Sequence, residues 1–142
     1  MKARISILLL FIAVIASAQD AHKFLRDGDK WYEREKHNLA EEAYRRALDA
    51  DHSLKGNYNL GNAVYRQERF EEAIEKYRNA LGRDPNPGER AMIYHNLGNS
   101  YFQAGQLQES IEAFKEALKN RPGDRDTQHN LGLALQMLQQ QQ

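Results

Sequence analysis

An all-α fold, a superhelical α-solenoid of three helix-turn-helix repeats closed by a C-terminal capping helix, is predicted by three observations. The triplet Asn-Leu-Gly recurs at Asn59–Gly61, Asn96–Gly98 and Asn130–Gly132, placing its glycines 37 and 34 residues apart. A fixed period in that range marks a repeat array. Around each glycine the same order of side chains returns, with aromatic residues just after it and a small-aromatic-small stripe further on. Small residues seven apart with an aromatic between them lie on one helical face. Finally, Pro85 and Pro122 stand where two second helices should stop, and His52 holds that place in the first copy.

The first repeat is read over Ala21–Ser53, with Gly28, Trp31 and Tyr32 followed by Ala40, Tyr44 and Ala47. Its turn, Glu35–Asn38, has no glycine, and Asp27 replaces the leucine that precedes the glycine elsewhere. The second, Leu54–Pro87, has Gly61, Val64 and Tyr65, a polar turn at Arg66–Arg69, then Ala73, Tyr77 and Ala80. The third, Ala91–Asp124, has Gly98, Tyr101 and Phe102, a turn at Ala104-Gly105, then Ser110, Phe114 and Ala117; Gly88–Arg90 reads as a small insertion before it. A mid-helix glycine costs about 1 kcal/mol relative to alanine. Its recurrence is therefore expected to offset that cost by letting a second helix cross at short range. Arg125–Leu138 repeats a first helix and is expected to lay Leu131 and Leu135 over the third repeat, ending the stack. Gln139–Gln142 reads as a frayed, glutamine-rich tail.

Residues 1–18 stand apart. Lys2 and Arg4 precede an apolar run from Ile5 to Ile15 and then Ala16-Ser17-Ala18, the layout of a secretory signal peptide with its small-residue cleavage site. The run is too short to span a bilayer, which takes about 20 residues. With no cysteine after it, a lipid anchor is not expected. The expected product is an exported, periplasmic or envelope protein beginning at Gln19; an uncleaved anchor is the alternative.

Without residues 1–18, which hold two of the 20 basic residues and none of the 20 acidic ones, the net charge is −2. That balance argues against nucleic acid, whose phosphates require a basic stripe. The absence of cysteine excludes disulfides, thiol nucleophiles and zinc-thiolate sites. The five histidines form no His-Glu-x-x-His motif, and no glycine-rich phosphate loop follows a strand, so neither an enzyme nor a cofactor is expected. His95 and His129 hold equivalent places in successive repeats, but two imidazoles leave a zinc site incomplete. The carboxylates at Glu41-Glu42 and Glu71-Glu72 read as solvated faces carrying i,i+4 pairs such as Glu72 with Lys76.

The repeated glycines, the small-aromatic-small stripes and the terminal prolines together resemble the tetratricopeptide repeat (TPR), a helix-turn-helix unit of about 34 residues. The resemblance covers Ala21 to about Gln136 and implies a concave groove, lined by the first helix of each repeat, that holds a peptide or a partner helix. The inward positions would be His22, Leu25, Asp29 and Tyr32, then Lys55, Tyr58, Asn62 and Tyr65, then Met92, His95, Asn99 and Phe102. Of these, Tyr58, Asn62, Tyr65, His95, Asn99 and Phe102 are the candidate peptide-binding residues. The two asparagines offer a donor and an acceptor each to a peptide backbone, and the rings offer apolar shelves. Chaperone-binding members of the family grip a C-terminal carboxylate with lysine, arginine and asparagine. At those positions this chain has Leu25, Asp29, Asn59, Met92 and Asn96, and only Asn59 matches, which speaks against a co-chaperone role. The signal peptide, three repeats, the opening Arg26-Asp27-Gly28-Asp29 and the glutamine-rich end are similar to the small exported TPR proteins of Bacteroides-type aerotolerance operons. That likeness implies von Willebrand A-domain envelope proteins as partners. The expected function is a non-enzymatic interaction scaffold; the alternatives are a self-associating repeat protein, through an open N-terminal end near Phe24 and Leu25, and a metal-binding envelope protein.

Overall fold

The computed structural model describes the backbone of residues 2–142 and the side chains of Ile7 and residues 18–142. Among these residues there are seven helices and no strand: α1 Lys2–Glu33, α2 His37–Ala50, α3 Leu54–Tyr65, α4 Phe70–Leu81, α5 Pro87–Gln103, α6 Leu107–Asn120 and α7 Arg125–Gln141. Successive helices pack antiparallel as pairs, α1 on α2, α3 on α4 and α5 on α6, and each second helix also packs on the next first helix. This is the predicted solenoid. The expected export segment lies outside the described side chains except for Ile7 and Ala18.

The glycines act sterically. A Cβ on Gly28 would stand 2.4 Å from Tyr44 Cε1, on Gly61 2.7 Å from Tyr77 Cε1, and on Gly98 2.6 Å from Phe114 Cδ1. No real Cβ tolerates such distances, so the ring of each second helix lies directly on the backbone of the first. Tyr44, Tyr77 and Phe114 are 2% exposed or less. Burying a large side chain of this kind stabilises the fold by about 1.5–3 kcal/mol. Ala40 and Ala47, Ala73 and Ala80, and Ser110 and Ala117 flank the rings and are equally buried.

The three intra-pair turns share one backbone design. Lys36, Arg69 and Gln106 donate N–H bonds to Trp31, Val64 and Tyr101, while Glu35, Glu68 and Gly105 donate to Tyr32, Tyr65 and Phe102. This pair of bonds is a Schellman motif, which needs one left-handed residue. Glu35 (φ 57°), Glu68 (φ 61°) and Gly105 (φ 76°) fill that place, so the first turn, lacking a glycine, adopts the same geometry at a cost of about 1–2 kcal/mol.

Three expectations take a more definite form. The insertion at Gly88–Arg90 is not a loop: it forms the opening turn of α5, where Pro87 sits at the first helical position and Asn86 and Glu89 form a reciprocal capping box. Gln139–Gln141 are helical, since glutamine is a good helix former and no breaker precedes it. On α7, Thr127 and Ala134 are buried, and Leu131 and Leu138 pack beside Ile111 and Phe114, but Leu135 is 47% exposed and faces away from the third repeat.

The acidic clusters also differ from the sequence reading. Arg46 pairs with Glu42 within α2, but Lys76 pairs with Glu75 rather than Glu72. Glu41 instead accepts hydrogen bonds from Arg45 (2.7 Å), Arg69 (2.7 Å) and Gln67 (2.8 Å), and Glu72 bonds the same two arginines. This network ties α2 to α4. Burial opposes ionisation of Glu41, but the bonds from Arg69, Arg45 and Gln67 outweigh it and hold its pKa down at about 2.

Two outcomes are expected. Gly98→Leu should lower the melting temperature far more than the exposed Glu75→Leu, because overpacking costs about 1–3 kcal/mol and neighbouring repeats share the loss. Equal melting temperatures would put the register in error. A depressed carboxylate pKa contributes stability that is present above the ordinary value of about 4.3 and is lost as pH falls toward 2. Glu41→Gln should therefore destabilise the protein at pH 7 and flatten its acid denaturation between pH 4.5 and 2, as read by circular dichroism.

Candidate functional site

The groove is built on a repeated polar rung. The residue after each motif glycine accepts a hydrogen bond from the asparagine of the following Asn-Leu-Gly triplet: Asn59 Nδ2 to Asp29 Oδ1 at 3.0 Å, Asn96 Nδ2 to Asn62 Oδ1 at 3.0 Å, and Asn130 Nδ2 to Asn99 Oδ1 at 2.9 Å. The second-helix tyrosine joins in from below, with Tyr44 donating to Asp29 at 2.9 Å and Tyr77 to Asn62 at 2.6 Å. Phe114 has no hydroxyl, so the Asn99 rung lacks that bond. The ring that packs on each glycine thus also orients the polar residue beside it.

Three recesses run along this ladder. One of about 200 Å³ is lined by Tyr32, Asn62, Tyr65, Arg66, Tyr77, Asn96 and Asn99. A second, about 190 Å³, is formed by Asn99, Phe102, Gln103, Phe114, Asn130 and Leu133. The third, about 200 Å³, is lined by Tyr58, Met92, His95, Asn96, Arg121, Asp124 and Asp126. Asn96 and Asn99 each line two of the recesses, so the three lie side by side along the ladder and together form the groove.

The six candidate residues therefore fall along one surface but not in one pocket. Asn62, Tyr65 and Asn99 meet in the first recess, Phe102 extends it toward α7, and Tyr58 and His95 border the third. The carbonyl oxygens of Asn62 and Asn99 are already engaged in rungs. Tyr58 accepts from Asn96 at 3.0 Å, and its ring lies 5.9 Å from that of Tyr77, so it is half packing and half groove. Leu25, at the inward position of the first repeat, is buried in the core instead. Sequence reasoning placed Tyr32 among the inward positions, where the first recess has it, but left it out of the six candidates; it missed Arg66, Asn96 and Asn130 as groove residues. The signal for the asparagines was present in the triplet itself.

His95 places Nδ1 2.6 Å from Thr127 Oγ1 and meets Phe114 edge-on, at 6.0 Å. It is thereby turned toward α7 and the recess, where the Asp124 and Asp126 carboxylates lie. Burial pushes its pKa below the ordinary value, Asp124 and Asp126 pull it upward, and Arg121 lowers it further. Burial likewise raises the pKa of Tyr58 and Tyr65, keeping both phenols neutral donors at physiological pH. Among the described residues no group of three His, Cys, Asp or Glu side chains converges as a metal site would require. The chemistry on offer is amide donors, phenol hydroxyls and aromatic faces.

The tetratricopeptide repeat family profile matches residues 28–89, 58–125 and 95–140, and the chain belongs to that family. The first TPR of Spaghetti (RPAP3), solved with the HSP90 peptide SRMEEVD, is similar with TM-score 0.79 and 21% identity over 85% of this chain and 94% of that one. The second TPR domain of human RPAP3, solved with the HSP70 peptide SGPTIEEVD, gives 0.77 and 22% over 83% and 97%. MamA gives 0.76 and 24% over 82% and 67%. At these identities the likeness establishes the fold. A search of curated proteins returns no significant match.

A histidine with a lowered folded pKa contributes stability that is present above its ordinary value near 6.5 and is lost as pH falls through the folded value. Melting temperature should accordingly fall from pH 7.5 to pH 5. His95→Gln should remove part of that fall, and His37, also lowered by burial and by Arg66, accounts for another part. An unchanged pH dependence in His95→Gln would show that its contact with α7 is not titrating.

Proposed function

We propose that the protein is a non-enzymatic scaffold that binds an extended segment or helix of a partner protein along the Asn62–Asn96–Asn99 groove. The carrying observation is the row of three neighbouring recesses along the asparagine rungs. Side chains oriented by the rungs lose little freedom when a ligand arrives, which favours binding. Tyr65 and Phe102 supply flat apolar contacts to partner side chains, and Tyr58 and His95 set preference at the far recess. The peptide complexes of similar TPR domains support a peptide-binding role.

The partner is not expected to be a chaperone tail. Asn59, the single match to the carboxylate clamp, donates to Asp29, and Lys55 is paired with that same aspartate at 3.2 Å. A carboxylate approaching there meets an acidic side chain whose cation is already matched. Residues 1–18 favour an envelope location, and the likeness to aerotolerance-operon TPR proteins favours von Willebrand A-domain proteins as partners.

The test is capture of envelope proteins on the immobilised protein, comparing wild type with a Tyr65→Ala, Phe102→Ala double variant whose fold is checked by circular dichroism. A ring acting as a hot spot contributes about 2 kcal/mol or more, so capture should fall at least tenfold. Undiminished capture by a folded variant would reject the groove.

A further inference from the structure

One motif glycine has no ring upon it. Gly28, Gly61 and Gly98 are each covered by an aromatic side chain of the following helix, whereas a Cβ on Gly132 would meet no atom within 4 Å. Leu135, one turn beyond this glycine, lies on the same side of α7, whereas Leu131 and Leu138 are packed against Ile111 and Phe114. Leu135 is 47% exposed, while Val64, its equivalent in α3, is fully buried beneath α4. From Thr127 to Gln142 there is no Asp, Glu, Lys or Arg, so the face carries no formal charge to keep it solvated.

The opposite end of the solenoid is treated differently. Lys23, Asp27 and Lys30 occupy the positions held in α5 by Ile93, Leu97 and Ser100, which are all buried against α4. The N-terminal end is thereby polar, and head-to-tail stacking of copies through it would desolvate two lysines and an aspartate. Phe24 does not rescue such a contact, since Arg46 lies over its ring.

We infer that the α7 face is a second docking surface, separate from the groove, which takes one amphipathic helix of another protein. The continuity of this face with the three established helix-pair interfaces specifies the occupant's chemistry. Its centre is a phenylalanine or tyrosine that seats on Gly132. A small residue stands four positions before it and another three positions after, as in Ala40-Tyr44-Ala47, Ala73-Tyr77-Ala80 and Ser110-Phe114-Ala117. Its contact face is uncharged. A second copy of this chain does not meet the description, because its Tyr44, Tyr77 and Phe114 are each already seated on a glycine of their own. The groove is a different surface of α7: Leu133, equivalent to Asn62 and Asn99, faces it.

The chain supplies its own probe. A fluorescein-labelled peptide with the α6 sequence, residues 107–120, titrated with the intact protein, should show saturable binding by fluorescence anisotropy and a gain in helicity by circular dichroism. The same peptide carrying Phe114→Ala should bind at least tenfold more weakly, as should the unaltered peptide to Gly132→Leu protein. That variant should fold, since no neighbour lies within 4 Å and leucine favours helix over glycine. It also separates docking on α7 from exchange with the protein's own α6, which sits on Gly98. Absence of saturable binding, or equal affinity for the Gly132→Leu protein, overturns the proposal. A dimer in sedimentation that Gly132→Leu dissociates would assign the face to a second copy and overturn it equally.

Discussion

The rest of the structure depends on an aromatic ring lying flat on a glycine backbone. In each pair the ring of Tyr44, Tyr77 or Phe114 occupies the volume in which any Cβ of Gly28, Gly61 or Gly98 would stand. This contact sets the separation of the two helices, and with it where the flanking alanines meet the facing helix. It has a chemical effect too, because Tyr44 and Tyr77 carry their hydroxyls through to Asp29 and Asn62 on the groove side. Packing and recognition therefore share one residue. The third repeat, with Phe114, keeps the packing and omits the hydroxyl.

The asparagines of the triplets carry that arrangement from repeat to repeat. Each uses Nδ2 to hold the residue after the preceding glycine, and this fixes the orientation of the amides that the groove displays. Polar groups held this way are satisfied without a ligand, which lets the groove be both wet and ordered. On the convex side the Glu41–Arg45–Arg69–Glu72 network does a comparable task between α2 and α4 with charges.

What the sequence made legible was steric. A glycine, a ring and two small residues at helical spacing leave few ways to pack, so the pairing of Gly61 with Tyr77 could be read directly. The polar contacts were less accessible because they depend on the rotation between repeats. Glu41 and Arg69 are 28 residues apart and meet only once that rotation is known. Asn59, Asn96 and Asn130 were read as markers of period, although their return at one position also implied a common partner. Pro87 was assigned to the end of a repeat when it opens α5; Asn86 with Glu89 three residues later carried that information. Leu135 was expected over the third repeat together with Leu131, but it lies round the helix from Leu131 and Leu138, which make that contact.

The placement of the rungs has a mechanical consequence. Within a pair, ring and glycine are held by dispersion and apolar burial, which water cannot replace. Between first helices the links are side-chain hydrogen bonds at the rim of the groove, which water can replace one at a time. Stiffness is therefore unequal across each joint: the groove rim yields first, while on the other side Ile93 and Leu97 stay packed in the shared core. A load that straightens the superhelix would open the rungs at Asp29, Asn62 and Asn99 before disturbing any ring. The solenoid behaves as a short spring, with its compliance concentrated along the groove.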